Sequence, residues 1–123
     1  MLIATYGTLR KGQRNYCVNE MADAVYVFTG KTKECYDMYY YCGAYPSVSL
    51  AHNEHQKQVV VEVYDAPDTT LYDMLEGYPH FYNRSVITVL DEDGNEHAAH
   101  IYHIDQKYRA PIKSGDWLNK EDG

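Results

Sequence analysis

Two stretches of the chain carry residue types suited to acid–base or anion-binding chemistry at a turn. The first is Leu75-Glu76-Gly77-Tyr78-Pro79-His80-Phe81-Tyr82-Asn83-Arg84. Glu76 falls in the last turn of a predicted helix, where the negative end of the macrodipole disfavours a carboxylate by ~0.3–1 kcal/mol. Tyr and Phe rings on both sides desolvate it, which also favours the protonated form. A carboxyl with a raised pKa suits a general base that later returns its proton as a general acid. A solvated helix-end Glu is the plain alternative. The second stretch is Tyr6-Gly7-Thr8-Leu9-Arg10, directly after the first predicted strand. A glycine at such a turn lets backbone N–H groups point outward together and accept a carboxylate or phosphate oxygen. Thr8 adds a hydroxyl and Arg10 a positive field. Here the alternative is an ordinary turn.

The remaining chemical residues carry weaker signals. His97, His100 and His103 repeat every three residues, which on a strand puts neighbours on opposite faces. His52 and His55 flank a polar pair and lack the helical i, i+4 spacing of a zinc motif. No metal site is expected. Cys42, beside Gly43, reads as a small buried hydrophobe rather than a nucleophile. In Tyr39-Tyr40-Tyr41 the first and third rings face one way and Tyr40 the other, as packing or as a pocket wall.

The elements that must position these groups follow from period and punctuation. Leu2 to Tyr6 reads as a strand stopped by Gly7, and Asn15 to Ala24 leaves a short helix and an irregular segment both open. Val25 to Tyr41 is dense in β-branched and aromatic residues and reads as one long bent strand or two short ones. Pro46 to Leu50 adds a short extended piece. Gln58 to Tyr64 is a strand whose three consecutive valines predict burial on both faces. After Pro67, Asp68 caps a helix with Leu71, Met74, Leu75 and Tyr78 on its inner face, stopped by Gly77 and Pro79. Arg84 to Leu90 and His97 to Ile104 form two strands around an Asp- and Gly-rich turn, and Trp117 docks on the body. The pattern predicts a single α+β domain over residues 1–123, built on a closed or half-closed barrel.

Composition narrows the partners. Leu, Ile, Val and Phe make up just under a fifth of 123 residues, and the net charge is −7. Alone, those values point toward disorder. Fourteen tyrosines reverse that, because each buries a large ring while keeping its hydroxyl near a polar partner. Eighteen acids against 11 bases, spread along the chain, leave no basic stripe for nucleic acid. The longest apolar runs are far too short to span a bilayer, and no signal-peptide core follows Met1. Three cysteines without a CxxC pair suit a reducing compartment, so a cytoplasmic protein is expected.

Taken in order, several segments resemble the γ-glutamylcyclotransferase-like family, which includes γ-glutamylamine cyclotransferases and AIG2-like proteins. They are Tyr6-Gly7-Thr8-Leu9, Gly43-Ala44-Tyr45-Pro46, Glu62-Val63-Tyr64, and Glu76-Gly77-Tyr78-Pro79 followed by Tyr82 and Arg84. Gly115-Asp116-Trp117 also looks like some short microbial and viral members. The resemblance implies a small mixed barrel with one to three flanking helices and a pocket at one end. It implies that Tyr6, Gly7, Thr8 and Leu9 hold a glutamyl moiety, that Tyr82 and Arg84 line the substrate, and that Glu76 is the catalytic residue. Two departures stand out: Val61 replaces a usual Gly, and Tyr72 replaces a usual Leu.

The chemistry implied by this resemblance is ring closure. The α-amine of a γ-glutamyl amide attacks its own side-chain carbonyl and releases 5-oxoproline. Well-oriented intramolecular attack is worth an effective concentration of roughly 10⁵–10⁸ M. One Glu can carry both proton transfers, and turn N–H groups can hold a carboxylate or oxyanion. No cofactor is expected. The expected partner is a small γ-glutamyl molecule, met by a monomer or homodimer. Two alternatives remain: a non-catalytic binder of a small anion on the same fold, and an interaction module that exposes its Tyr face.

Overall fold

The valine run sets the architecture. In β5 (Gln58–Asp65), Val59, Val61 and Val63 are fully buried on one face, and Glu62 and Tyr64 are buried on the other. Both faces are covered, as three consecutive valines require. The computed structural model describes residues 1–41 and 45–122. Within it, β5 is flanked by β1 (Leu2–Thr5) and β2 (Val25–Cys35), both antiparallel to it. The hairpin of β6 (Asn83–Leu90) and β7 (Glu96–His103) completes a closed barrel in the order β1-β5-β2-β6-β7. One contact, Ile3 opposite His100, joins β1 to β7 in parallel, so the barrel is mixed.

Gly30 permits the closure. A Cβ there would lie 1.9 Å from the Leu90 carbonyl oxygen, on the strand that β2 must meet to shut the barrel. The barrel interior is filled by Phe28, Val59, Val61, Val63, Val89 and Ile101 among others, all buried. Trp117, in the closing 3₁₀ turn, is 5% exposed and packs 5.4 Å from the Tyr40 ring.

The stretch from Val25 to Tyr41 resolves into two strands that belong to different sheets. β3 (Asp37–Tyr41) pairs with β4 (Tyr45–Ser49) in a separate two-stranded sheet. Cys42, Gly43 and Ala44 lie outside the described residues. The tyrosine run alternates as expected: Tyr39 and Tyr41 both meet Tyr108, and Tyr40 meets Trp117.

Two helices lie outside the barrel, α1 (Cys17–Met21) and α2 (Thr70–Glu76). A second buried cluster, including Ile3, Leu9, Tyr72, Tyr82 and Tyr102, packs beneath them. The inner face of α2 differs from the periodic reading. Met74 is 73% exposed and Leu75 is 40% exposed, while Tyr72 is fully buried. The helix is only seven residues long, and Tyr72 is its one fully buried side chain. Asp68 does meet the helix start, accepting the Thr70 N–H at 2.9 Å, although Thr69 is the flanking residue. Gly77 ends the helix in the left-handed region, at φ 66°.

Arg10 anchors the first turn from behind. Its Nε donates to Glu62 at 2.9 Å and a terminal nitrogen to Asp116 at 2.7 Å. The Lys11 N–H and the Tyr64 hydroxyl donate to the other Glu62 oxygen at 2.8 and 3.0 Å. Arg10 therefore does not supply a field for an anion in the turn, as the sequence suggested. It is buried between two carboxylates and ties the turn and the C-terminal segment to β5.

Candidate active site

A cavity of about 380 Å³ opens where the end of β1, the following turn, β4 and the end of α2 converge. Tyr6, Gly7, Thr8 and Leu9 form one wall. Glu76 and Tyr82 face the same space. Its size suits a small ligand of amino-acid dimensions.

The turn keeps its donors available. Among the described residues, no backbone acceptor takes the N–H groups of Gly7, Thr8 or Leu9. Their carbonyls are used instead: Gly7 accepts from Arg10 and Thr8 from Asn15, at 3.0 and 2.9 Å. Asn15 Nδ2 also donates to Thr8 Oγ1 at 3.0 Å. Buried Asn19 donates through Nδ2 to the Leu9 carbonyl at 2.8 Å and accepts the Tyr72 hydroxyl at 2.7 Å. One asparagine thus links the turn to the helix that carries Glu76. Tyr72→Phe leaves a buried acceptor unmet, so we expect a loss of about 1–3 kcal/mol, read by urea denaturation. An unchanged midpoint would remove this bridge from the account.

Glu76 occupies the last position of α2. Its carboxylate has no hydrogen bond or ion pair with any described residue, and burial pushes its pKa from 4.5 up to about 7. Two phenols share its surroundings. Burial, then Tyr82, then Glu76 raise the Tyr6 hydroxyl, and burial followed by Glu76 raises that of Tyr82. Both stay protonated as donors. Tyr6 donates to the Tyr102 carbonyl at 2.7 Å, and Tyr82 to the Pro46 carbonyl at 2.8 Å.

Arg84 does not line the cavity. One guanidinium nitrogen lies 2.5 and 2.6 Å from the two Asp73 oxygens and also donates to Thr69 at 2.8 Å. The guanidinium stacks 4.4 Å from the Tyr78 ring centroid. Burial raises the Asp73 pKa, but bonds from Arg84, Tyr102 and Thr69 outweigh it and hold the carboxyl below its ordinary value. Arg84 enters β6 beside the first half of the helix, so Asp73 meets it and Glu76 does not. Its place is to fasten α2 to the barrel.

Residues 3–119 match the family described as gamma-glutamyl cyclotransferase, AIG2-like. A Methanocaldococcus jannaschii protein named "Putative gamma-glutamylcyclotransferase MJ1514" is 32% identical over 117 residues, covering 94% of this chain and 93% of that protein. The chain belongs to the AIG2-like γ-glutamyl cyclotransferase family. Solved structures repeat the fold. An AIG2-like protein from Mus musculus superposes with a TM-score of 0.75 at 23% identity, over 87% of this chain and 78% of that one. The Pyrococcus horikoshii protein PH0828 gives 0.69 at 24% identity, over 98% and 92%.

The two departures from the family pattern have different consequences. Val61 is buried in the barrel interior, opposite Gly30, and does not reach the cavity. Tyr72 forms the Asn19 bridge described above. Arg14, Asn15, Tyr45, Pro46 and Tyr102 also line the cavity and were not singled out individually from sequence. Asn15, six residues past the end of the Tyr-Gly-Thr-Leu turn, was the legible one, since a short amide there can return to cap it.

Away from the cavity, Asp37, Glu54 and His55 bring ligand-type atoms within 4.8 Å of one another. Asp37 already accepts from the Tyr39 hydroxyl and the His55 N–H, each at 3.0 Å, and Glu54 pairs with Lys107. The strand histidines find separate partners: His97 meets Asp91, and His103 lies between Ser85 and Asp105. Among the described residues, no helix is long and apolar enough to cross a membrane. Only Tyr26 and Tyr45 of the described tyrosines are exposed, so most of the described tyrosine rings face the interior or the cavity rather than forming one exposed Tyr face.

Proposed function

We propose that the chain releases 5-oxoproline from a γ-glutamyl amino acid or γ-glutamyl amine, with Glu76 moving the protons. The observation that carries this reading is an unpaired, desolvated carboxyl sharing one small cavity with a turn of available N–H groups. The turn, Tyr6 to Leu9, holds the glutamyl carboxylate or the developing oxyanion. The α-amine nitrogen bonds to the γ-carbonyl carbon, and Glu76 takes the proton that the nitrogen must shed. As the carbon–nitrogen amide bond breaks, Glu76 returns that proton to the departing amine. Products are 5-oxoproline and the free amine, with no net proton change within the site. Tyr82 acts as a cavity wall and as a fixed donor to the Pro46 carbonyl. A sequestering pocket, the other reading, gains nothing from an unpaired carboxyl facing its anion.

The test is direct: incubate the protein with a panel of γ-glutamyl amines and amino acids and measure 5-oxoproline. Tight binding without turnover across the panel would favour sequestration. The pH dependence gives a second expectation. A base must be ionised, so kcat/KM should climb as pH rises through about 7 and then level off on that limb. A limb centred near 4.5, the ordinary value for Glu, would contradict the desolvated placement of this group.

A further inference from the structure

Outside the cavity, one hydrogen-bonded chain brings together a hydroxyl, an imidazole and a carboxylate. Ser85 Oγ lies 2.7 Å from His103 Nε2, and His103 Nδ1 lies 2.8 Å from Asp105 Oδ1. The register explains the meeting. Ser85 faces Ile101 across the β6–β7 ladder, so His103 is its diagonal neighbour on the same face. That face points into the barrel, where Ile87 and Val89 on β6 and Ala99 and Ile101 on β7 are buried. Ser85 and His103 are the next positions along it, at one end of the barrel. Burial runs out along β6, so Ser85 is only half-buried, while the His103 side chain is 5% exposed.

The polarity of this chain is set from its acidic end. An ionised carboxylate only accepts, so the neutral imidazole carries its proton on Nδ1 and leaves Nε2 as an acceptor. Ser85 must then donate, which is the direction in which a base draws a proton from a nucleophile. The Leu50 N–H donates to the same Asp105 oxygen at 2.8 Å and helps to fix it. A donor for an oxyanion comes from the next residue. At the root of the hairpin the Asp91 N–H donates to the Asn95 carbonyl at 3.0 Å. Ladder alternation therefore turns the odd-numbered N–H groups of β6 toward β7 and the even-numbered ones toward β2. Among the described residues, β2 reaches β6 only at Val89 and Leu90. The N–H of Val86, a residue 59% exposed, thus points along an edge that no described strand covers.

We propose that Ser85, His103 and Asp105 form a second catalytic site, which hydrolyses small carboxylic esters through an acyl-serine. Neither Ser85 nor His103 lines the cavity that holds Glu76. Ser85 Oγ bonds to the ester carbonyl carbon while its proton passes to His103 Nε2. The carbon–oxygen ester bond breaks, and Nε2 returns the proton to the departing alkoxide. The oxygen of a water molecule then bonds to the acyl carbon and one of its protons passes to Nε2. The carboxylic acid is released as that proton returns to Ser85. The Val86 N–H takes the developing oxyanion, and Asp105 positions the imidazole. One oxyanion donor and a carboxylate side chain that is 37% exposed suit an ester, whose alkoxide leaves more readily than an amine from an amide.

A fluorophosphonate probe tests the nucleophile, because the serine oxygen displaces fluoride from phosphorus and keeps the label. The native protein should gain one label, located on Ser85 by peptide mass spectrometry, and heat-unfolded protein none. Ser85→Ala should abolish labelling and lower p-nitrophenyl acetate hydrolysis on the order of 10²-fold or more. Asp105→Asn keeps an acceptor for the Leu50 N–H but removes the charge that stabilises the imidazolium. Labelling should then slow on the order of 10²-fold, with the folded state checked by circular dichroism. Three results would overturn the proposal: a native protein that takes no label, a label on tyrosine or lysine instead, or labelling that survives Ser85→Ala.

Discussion

Glu76→Gln should lower 5-oxoproline release by about 10³–10⁴-fold while leaving substrate binding nearly intact. Gln keeps the size and much of the hydrogen-bonding capacity but cannot accept the amine proton. A general acid–base group is typically worth about 10²–10⁴-fold, and here a single carboxyl serves both transfers, which puts the loss toward the upper end. The same substitution should not unfold the protein. The folded carboxyl titrates near 7 against an ordinary value of 4.5, so its charged form is disfavoured in the fold. Below 4.5 the group is protonated in both states and costs nothing. From 4.5 to 7 the cost grows with pH, and above 7 it is complete. Gln removes a penalty on the order of 1–3 kcal/mol at neutral pH, so denaturation should show equal or greater stability than the native chain. Clear destabilisation at pH 7.5, or full turnover by the variant, would make Glu76 structural.

That expectation also shows where the sequence was legible. Glu76 was conspicuous because an acid at a helix C-terminus opposes the local dipole, and the aromatic residues around it forecast its desolvation. The strands were legible because Val59 to Val63 and the hairpin around Asp91 to Asn95 have local signatures. What failed depended on distant neighbours. Arg84 and Arg10 both stood beside the right motifs, but Asp73, Glu62 and Asp116 claim them across 11, 52 and 106 residues. An Arg beside a site motif says nothing about which carboxylate the fold will bring closest. The inner face of α2 was misjudged for a related reason: the periodic pattern weighed Met74 and Leu75 as apolar, but only Tyr72 had a buried partner waiting, in Asn19. Arg14 was invisible because nothing in its neighbourhood announces that Tyr45, 31 positions later, will lie beneath it.

Gly7 is the position where a single methyl group should do the most damage to binding. The sequence suggested that glycine gave the turn conformational freedom, but its backbone is not in the left-handed region. The constraint is a close approach. A Cβ at Gly7 would lie 2.1 Å from Cγ and 3.0 Å from Cδ of Pro46. The Pro46 ring is held in turn, because its carbonyl accepts the Tyr82 hydroxyl at 2.8 Å and it sits in β4 opposite Tyr40. Gly7→Ala must therefore push apart two walls of the cavity, the N–H turn and the β4–Tyr82 wall. Overpacking of this kind costs about 1–3 kcal/mol of stability. Moving the donors away from a bound carboxylate should raise KM on the order of tenfold to a hundredfold, the worth of a charged hydrogen bond. kcat should fall less, since the substitution leaves the proton-transferring carboxyl of Glu76 in place. Gly7→Val should be worse on both counts. The decisive comparison is the double-mutant cycle with Pro46→Ala, which removes the Cγ and Cδ atoms that a new Cβ would strike. If the clash is the cause, Gly7→Ala should cost far less in the Pro46→Ala background than in the native chain. Simple additivity of the two losses would mean that Gly7 is required for some reason other than its contact with Pro46.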